Sequence, residues 1–141
     1  MFENRRARFE FELLDRFEAG VELRGTEIKS MRGGGVDFRD SYARFEGNQL
    51  YLENLYIPPY GKASYNNHEA RRKRKLLLHR KELTDLFASV TRKGLTIVPV
   101  RLYFVRGRIK LEIALARGKK LHDKREAEKT KSAKREMEMY R

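Results

Sequence analysis

Five cations stand in a row at Arg71-Arg72-Lys73-Arg74-Lys75, followed directly by Leu76-Leu77-Leu78-His79-Arg80-Lys81. Adjacent like charges repel, so the run gains from a partner that neutralises it. A phosphate backbone does so and releases its own counterions, which makes such binding fall steeply with salt. A solvated loop is the plain alternative, but no acidic residue interrupts the run, and it is read as RNA contact. Three consecutive leucines cannot all be buried on one face of a strand or turn. One of them is therefore expected outside, where it can pack on an unstacked base. Tyr51, Tyr56, Tyr60 and Tyr65 precede the run. Most are expected in the core or at its rim, with base stacking as the alternative.

A second basic segment, Gly118-Lys119-Lys120-Leu121-His122-Asp123-Lys124-Arg125, joins four cations to an imidazole and a carboxylate. It can track phosphates, while His122 either stacks on a base or stands idle at the surface. Catalytic patterns are weak by comparison. Asp37, Asp40 and Glu46 contain the carboxylates of a metal nuclease, but Asp37 and Asp40 flank Phe38-Arg39 in a loop-like stretch that suits turns and caps. His68, His79 and His122 lack the spacing of metal ligands, and Gly33-Gly34-Gly35 lacks the Lys-Ser/Thr of a phosphate-cradling loop. No catalytic residue, metal site, cofactor or small-molecule substrate is expected.

The 141 residues suit one domain with a modest core. Lys and Arg number 33 against 20 Asp and Glu, a net charge of +13 that attracts polyanions. No apolar run approaches the roughly 20 residues that span a bilayer. Met1-Phe2-Glu3-Asn4-Arg5-Arg6 lacks the apolar stretch of a signal peptide, which favours the cytosol. Cysteine is absent, so disulfides and Cys-based zinc sites are excluded.

The elements that must position these residues change character at Gly118. Residues 1–118 carry 24 cations against 15 anions, and residues 119–141 carry 9 against 5. The tail's large apolar residues are Leu121, Met137, Met139 and Tyr140. Four scattered side chains cannot build a core, so the tail is expected to be disordered when free and helical once bound. Before it, Phe9, Phe11 and Leu13 alternate with Glu10 and Glu12, the period of a half-buried strand. Leu23 to Arg32 reads as a helix with Ile28 and Met31 inward. Tyr42–Glu46 and Leu50–Asn54 form a hairpin around Gly47-Asn48. Lys81 to Lys93 is a helix with Leu83, Leu86, Phe87 and Val90 on one face and Gly94 closing it. Thr96–Val105 and Arg108–Ala116 are strands around Arg106-Gly107. Short antiparallel strands with about three peripheral helices predict a mainly β fold, an OB-like closed barrel with a basic C-terminal tail.

Gly25-Thr26-Glu27-Ile28-Lys29-Ser30-Met31-Arg32 with Asp40-Ser41-Tyr42 resembles the signature of the SmpB family of SsrA-binding proteins. Arg74-Lys75-Leu76-Leu77-Leu78-His79 and Gly94-Leu95-Thr96-Ile97-Val98-Pro99 with Leu102-Tyr103-Phe104 continue the pattern. Ala116-Arg117-Gly118-Lys119-Lys120 and Asp123-Lys124-Arg125 complete it in order. The chain departs at Ala70 and Lys73, where the family loop usually carries prolines, and a less rigid loop is expected.

The resemblance implies an OB-like barrel that binds the tRNA-like domain of transfer-messenger RNA near its elbow and stands in for the missing anticodon arm. It also implies a tail that enters the empty decoding centre and mRNA path of the ribosomal small subunit. The RNA would arrive alanyl-charged with elongation factor Tu, on a monomeric carrier. By family pattern Asn4, Glu18 and Leu77 fall at RNA contacts, and His122 with Asp123-Lys124-Arg125 where the tail reads the small subunit. The expected RNA-binding set is Asn4, Arg5, Arg6, Glu18, Lys29, Arg71, Arg72, Lys73, Arg74, Lys75 and Leu77, with Lys119 and Lys120 joining the tail. A basic structural ribosomal protein and an RNA-processing nuclease remain the competing classes.

Overall fold

A computed structural model describes residues 1–61 and 67–119. The order is β1 (Phe2–Glu3), α1 (Arg5–Glu10), β2 (Phe11–Val21), α2 (Gly25–Gly33), β3 (Tyr42–Glu46), β4 (Gln49–Glu53), β5 (Arg74–Leu77), α3 (Arg80–Lys93), β6 (Thr96–Val105) and β7 (Arg108–Gly118). All strand pairings are antiparallel. Six strands join in the order β6-β3-β4-β5-β2-β7, and β7 returns to β6. This closed ring leaves no long strand edge to pair with another chain. β1 attaches to the ring through Phe2 opposite Leu102 and Glu3 opposite Arg101. The architecture is the barrel-like, mainly β class expected, with three helices outside it.

The pairing slips in β2 between Leu13 and Arg16 and in β6 between Pro99 and Arg101. Pro99 lacks a backbone donor and is tolerated at that irregularity. The interior is filled by Leu50, Leu52, Leu76, Ile97, Leu102, Leu111 and Ile113, with Met31 of α2 and Leu86 of α3 packed into the same cluster. Gly94 ends α3 at φ +66°, a backbone angle that a side chain would strain. Phe87, placed inward by the helical pattern, is 46% exposed and meets Phe45 edge-on instead.

Two elements differ from the sequence-based expectation. Phe9 belongs to α1 rather than to a strand, and β2 begins at Phe11. Asn4 anchors this short helix, its backbone N–H donating to Val100 O at 2.8 Å and its Nδ2 to Pro99 O at 2.8 Å. Ala7 is thereby buried beside Val98 and Ala116. The second difference is β5, which emerges from the basic run. Its residues alternate Arg74 in, Lys75 partly out, Leu76 in and Leu77 out. A charged side chain at an inward position conceals the strand period, although this strand closes the ring between β4 and β2.

Candidate nucleic-acid interface

Glu27, fully buried on α2, organises the basic run from beneath. Arg74 Nε donates to its Oε2 at 2.7 Å, and Arg72 donates through Nε at 2.9 Å and a terminal nitrogen at 2.7 Å. The Arg24 backbone N–H adds a bond of 2.7 Å. Arg74 is itself buried, and its two terminal nitrogens donate to Leu55 O at 2.6 Å and Ala70 O at 3.0 Å. Burial pushes the Glu27 carboxyl up, but the bonds from Arg72, Arg24 and Arg74 and the Arg74 charge outweigh it and hold the pKa below its ordinary value. Burial likewise pulls Arg74 down against Glu27, though a guanidinium stays protonated. Arg74, a member of the expected RNA-binding set, is therefore buried and bonded within the fold, unlike its exposed neighbours Arg71 and Lys73. Its burial requires a counter-charge, and the sequence-distant Glu27 provides it.

The remaining inward residues of α2 fasten the chain that leads to the run. Ser30 Oγ donates to Pro58 O at 2.6 Å. His68 Nε2 lies 2.9 Å from Ile57 O and 3.0 Å from Pro58 O, and its Nδ1 lies 2.9 Å from Thr26 Oγ1. Carbonyls only accept, so Nε2 carries a proton, and in that tautomer Nδ1 accepts from Thr26. Thr26→Val should therefore cost about 1–3 kcal/mol in urea unfolding by leaving Nδ1 unpaired. Ala70, at a family proline position, accepts at its carbonyl oxygen from Ile57 N at 3.0 Å as well as from Arg74.

Outward, cations alternate with aromatic rings. Lys73 Nζ is 4.8 Å from the centre of Tyr51, Arg71 is 5.0 Å from Tyr56, and Lys29 is 5.9 Å from Tyr60. These three tyrosines are half-buried at the rim, as expected, with the charges of the run laid over them. Tyr65 lies outside the described residues. Lys73 also binds Glu46 at 2.5 Å and Arg72 is bound to Glu27, so carboxylates distant in sequence offset two of the surface charges. Arg71 donates to Asn54 O at 3.1 Å and has no carboxylate partner among the described residues. The Lys75 carbonyl accepts from Glu22 N at 3.0 Å, while its side chain has neither hydrogen bond nor ion pair among the described residues. Leu77 is the outward leucine, 47% exposed, while Leu76 is buried.

Strand register extends this surface around the barrel. Leu77 faces Gly20, Gly20 faces Lys110, and Lys110 faces Tyr103. The Leu77 side chain packs over Gly20, where an added methyl group would sit 3.4 Å from Leu77 Cβ. In the next row Glu18 faces Glu112, and Glu112 faces Arg101. Tyr103 donates its hydroxyl to Glu18 Oε2 at 2.5 Å, and Arg101 lies 4.5 Å over the Tyr103 ring. Burial and the Glu18 hydrogen bond raise the Tyr103 hydroxyl to about 12, so it remains a donor at neutral pH. Glu112 ties Arg101 at 2.7 Å to Arg16 at 3.6 Å. Asn4, Arg5, Arg8, Arg16 and Arg101 then border a hollow of about 350 Å³.

The fold therefore brings Lys75, Leu77 and Glu18 onto one continuous outer face, with Asn4 and Arg5 on the adjoining hollow. Arg6 sits apart in a pair with Glu10 at 3.2 Å, and Lys119 is tied by its backbone N–H to Glu10 O at 3.2 Å. Lys120, His122, Asp123, Lys124 and Arg125 lie outside the described residues. Arg8, Arg16, Arg101, Tyr103 and Glu112 were not singled out from the sequence. Their inside-outside alternation along β2, β6 and β7 was the available signal. Among the described residues no group of three or more His, Cys, Asp or Glu converges to hold a metal, and no helix is long and apolar enough to cross a membrane. Asp37 accepts instead from the Arg39 backbone N–H at 2.9 Å, a turn role.

The family model described as SmpB protein matches residues 1–140. The chain belongs to the SmpB family. It is 58% identical over 137 residues to the SsrA-binding protein of Deinococcus radiodurans, covering 97% of this chain and 96% of that one. Its identity to the Thermus thermophilus SsrA-binding protein is 55% over 139 residues, covering 98% and 96%. With the Brucella canis SsrA-binding protein it shares 56% over 135 residues, covering 95% and 85%. A solved structure described as "tmRNA-SmpB: a journey to the center of the bacterial ribosome" contains a chain 54% identical to this SmpB-family member. The two match with a TM-score of 0.72, covering 99% of this chain and 98% of that one.

Proposed function

We propose that this chain is the RNA-binding adaptor of trans-translation, binding transfer-messenger RNA through its tRNA-like domain and delivering it to stalled ribosomes. The observation that carries this reading is the family match over residues 1–140, supported by a 54% identical chain in a tmRNA-SmpB ribosome structure. The outer face suits such a ligand. Arg71 and Lys75 offer charge to phosphates, Leu77 offers an apolar surface to an unstacked base, and Glu18 can accept from base amino groups or ribose hydroxyls. Asn4 and Arg5 extend the face at the hollow, while Arg72 and Lys73 reach RNA only at the edge of their carboxylate pairs. Lys29 adds charge beside Tyr60.

In this account Lys119, Lys120, His122 and Asp123-Lys124-Arg125 lead a tail that enters the decoding centre of the small subunit. The charged RNA arrives with elongation factor Tu, and a monomer acts in the cytoplasm without cofactor or reaction step.

Binding of labelled tRNA-like domain across a salt series tests the assignment. Arg71→Gln with Lys75→Gln should flatten the slope of log affinity against log salt by about 0.7–0.9 for every phosphate no longer neutralised. Leu77→Ala should weaken binding with only a modest loss of fold stability, since that side chain is already 47% exposed. An unchanged slope and affinity in both variants would place the RNA surface elsewhere.

A further inference from the structure

The β6–β7 hairpin projects a tip that carries exposed apolar and cationic side chains together. Phe104 is 41% exposed and Val105 39%, with Arg106, Gly107 and Arg108 exposed beside them. Arg32, at the end of α2, lies 5.8 Å from the centre of the Phe104 ring. Several arginines of the outer face meet glutamates: Arg16 and Arg101 with Glu112, Arg44 with Glu53, Arg117 with Glu12. Arg32, Arg106 and Arg108 have no carboxylate partner among the described residues. The tip is therefore a place where charge is left uncompensated around an exposed aromatic ring.

The turn itself is a second observation. Arg106 has φ +51° and Gly107 φ +79°, the two left-handed positions of a tight hairpin. Asn or Gly is favoured at the first of these, and arginine there gains nothing for the turn. A residue held against local preference points to an external use for its guanidinium. The tip also borders the proposed RNA face, because Arg108 shares a face of β7 with Lys110, while Phe104 points to the opposite face beside Arg32.

We infer that this tip, with Arg32, is a second contact for the same RNA, taking an unstacked base on Phe104 and the flanking phosphates on Arg106 and Arg108. The inference rests on the proposed function for the identity of that RNA. Aromatic side chains take any base by its π face, and arginines beside them reach the adjoining phosphates. The net positive charge of the whole chain draws the polyanion toward the tip.

The test uses the full chain and a labelled transcript of the tRNA-like domain. Arg106→Asn with Arg108→Gln should preserve or raise the thermal midpoint, because Asn suits the turn. It should flatten the salt slope by about 0.7–0.9 for each phosphate that these arginines would neutralise. Phe104→Ala should weaken binding about 5- to 150-fold. Unchanged affinity and slope in both variants, with Lys75→Gln still weakening binding, would overturn the tip and leave the adaptor function standing. Loss of ribosome association alone, with binding to the tRNA-like domain intact, would also overturn it, by assigning the tip to ribosomal RNA. A parent chain with no preference for the tRNA-like domain over unrelated RNA would remove both claims together.

Discussion

Glu27→Ala is expected to destabilise the fold by about 3–5 kcal/mol, because it leaves the buried Arg74 guanidinium without its counter-charge. Glu27 also receives Arg72 and the Arg24 backbone, so one substitution loosens α2, the start of β5 and the chain between them. Replacing Arg74 with Met in the same chain should recover much of the loss, since an apolar side chain of similar length needs no partner. Urea unfolding of the single and double variants measures both effects. A single-variant loss below about 1 kcal/mol would show that water or another group reaches Arg74. The same pair sets a pH dependence. Glu27 is held below its ordinary value, so its contribution is fully present above the carboxyl pKa of the unfolded chain, about 4.3. It should be lost as pH falls from there through the lower folded value. Acid unfolding of Glu27→Ala should lack this component.

Truncation after Gly118 is expected to leave binding to the tRNA-like domain largely intact while abolishing tagging of stalled chains. β7 runs to Gly118, so the cut spares every strand of the ring and the face bearing Leu77 and Glu18. It removes 9 cations and 5 anions, and with them the segment proposed to occupy the decoding centre. A gel-shift assay with the tRNA-like domain, run beside a reconstituted tagging reaction, separates the two activities. Normal tagging by the truncated chain would contradict the assignment of the tail.

Hydrophobic period and turn residues made most of the barrel legible: the β3–β4 hairpin, α3 with its closing Gly94, and the β6–β7 hairpin around Arg106-Gly107 all follow from them. β5 was hidden because Arg74 occupies an inward position, where the pattern rule expects an apolar residue. That exception depends on Glu27, 47 residues earlier, and no local window contains both. α1 was hidden for a related reason. Its six residues gain little from helix propensity and are fixed by tertiary anchors at Asn4 and Ala7. Of the site, the cationic run and the outward leucine were readable from residue type. The division of that run into buried Arg74, paired Arg72 and Lys73, and available Arg71 and Lys75 was not, because it follows from which carboxylates the fold brings beneath it. The Glu18–Tyr103–Arg101–Glu112–Arg16 chain spans three strands and exists only in their register.

Competition binding tests the central claim most directly. The full chain, holding labelled tRNA-like domain at moderate salt, is challenged with an excess of duplex RNA of equal length and charge. Retention of the tRNA-like domain against that excess is the outcome expected of a shaped face. Displacement at parity would mean that +13 of net charge, rather than the arrangement of Lys75, Leu77 and Glu18, does the binding.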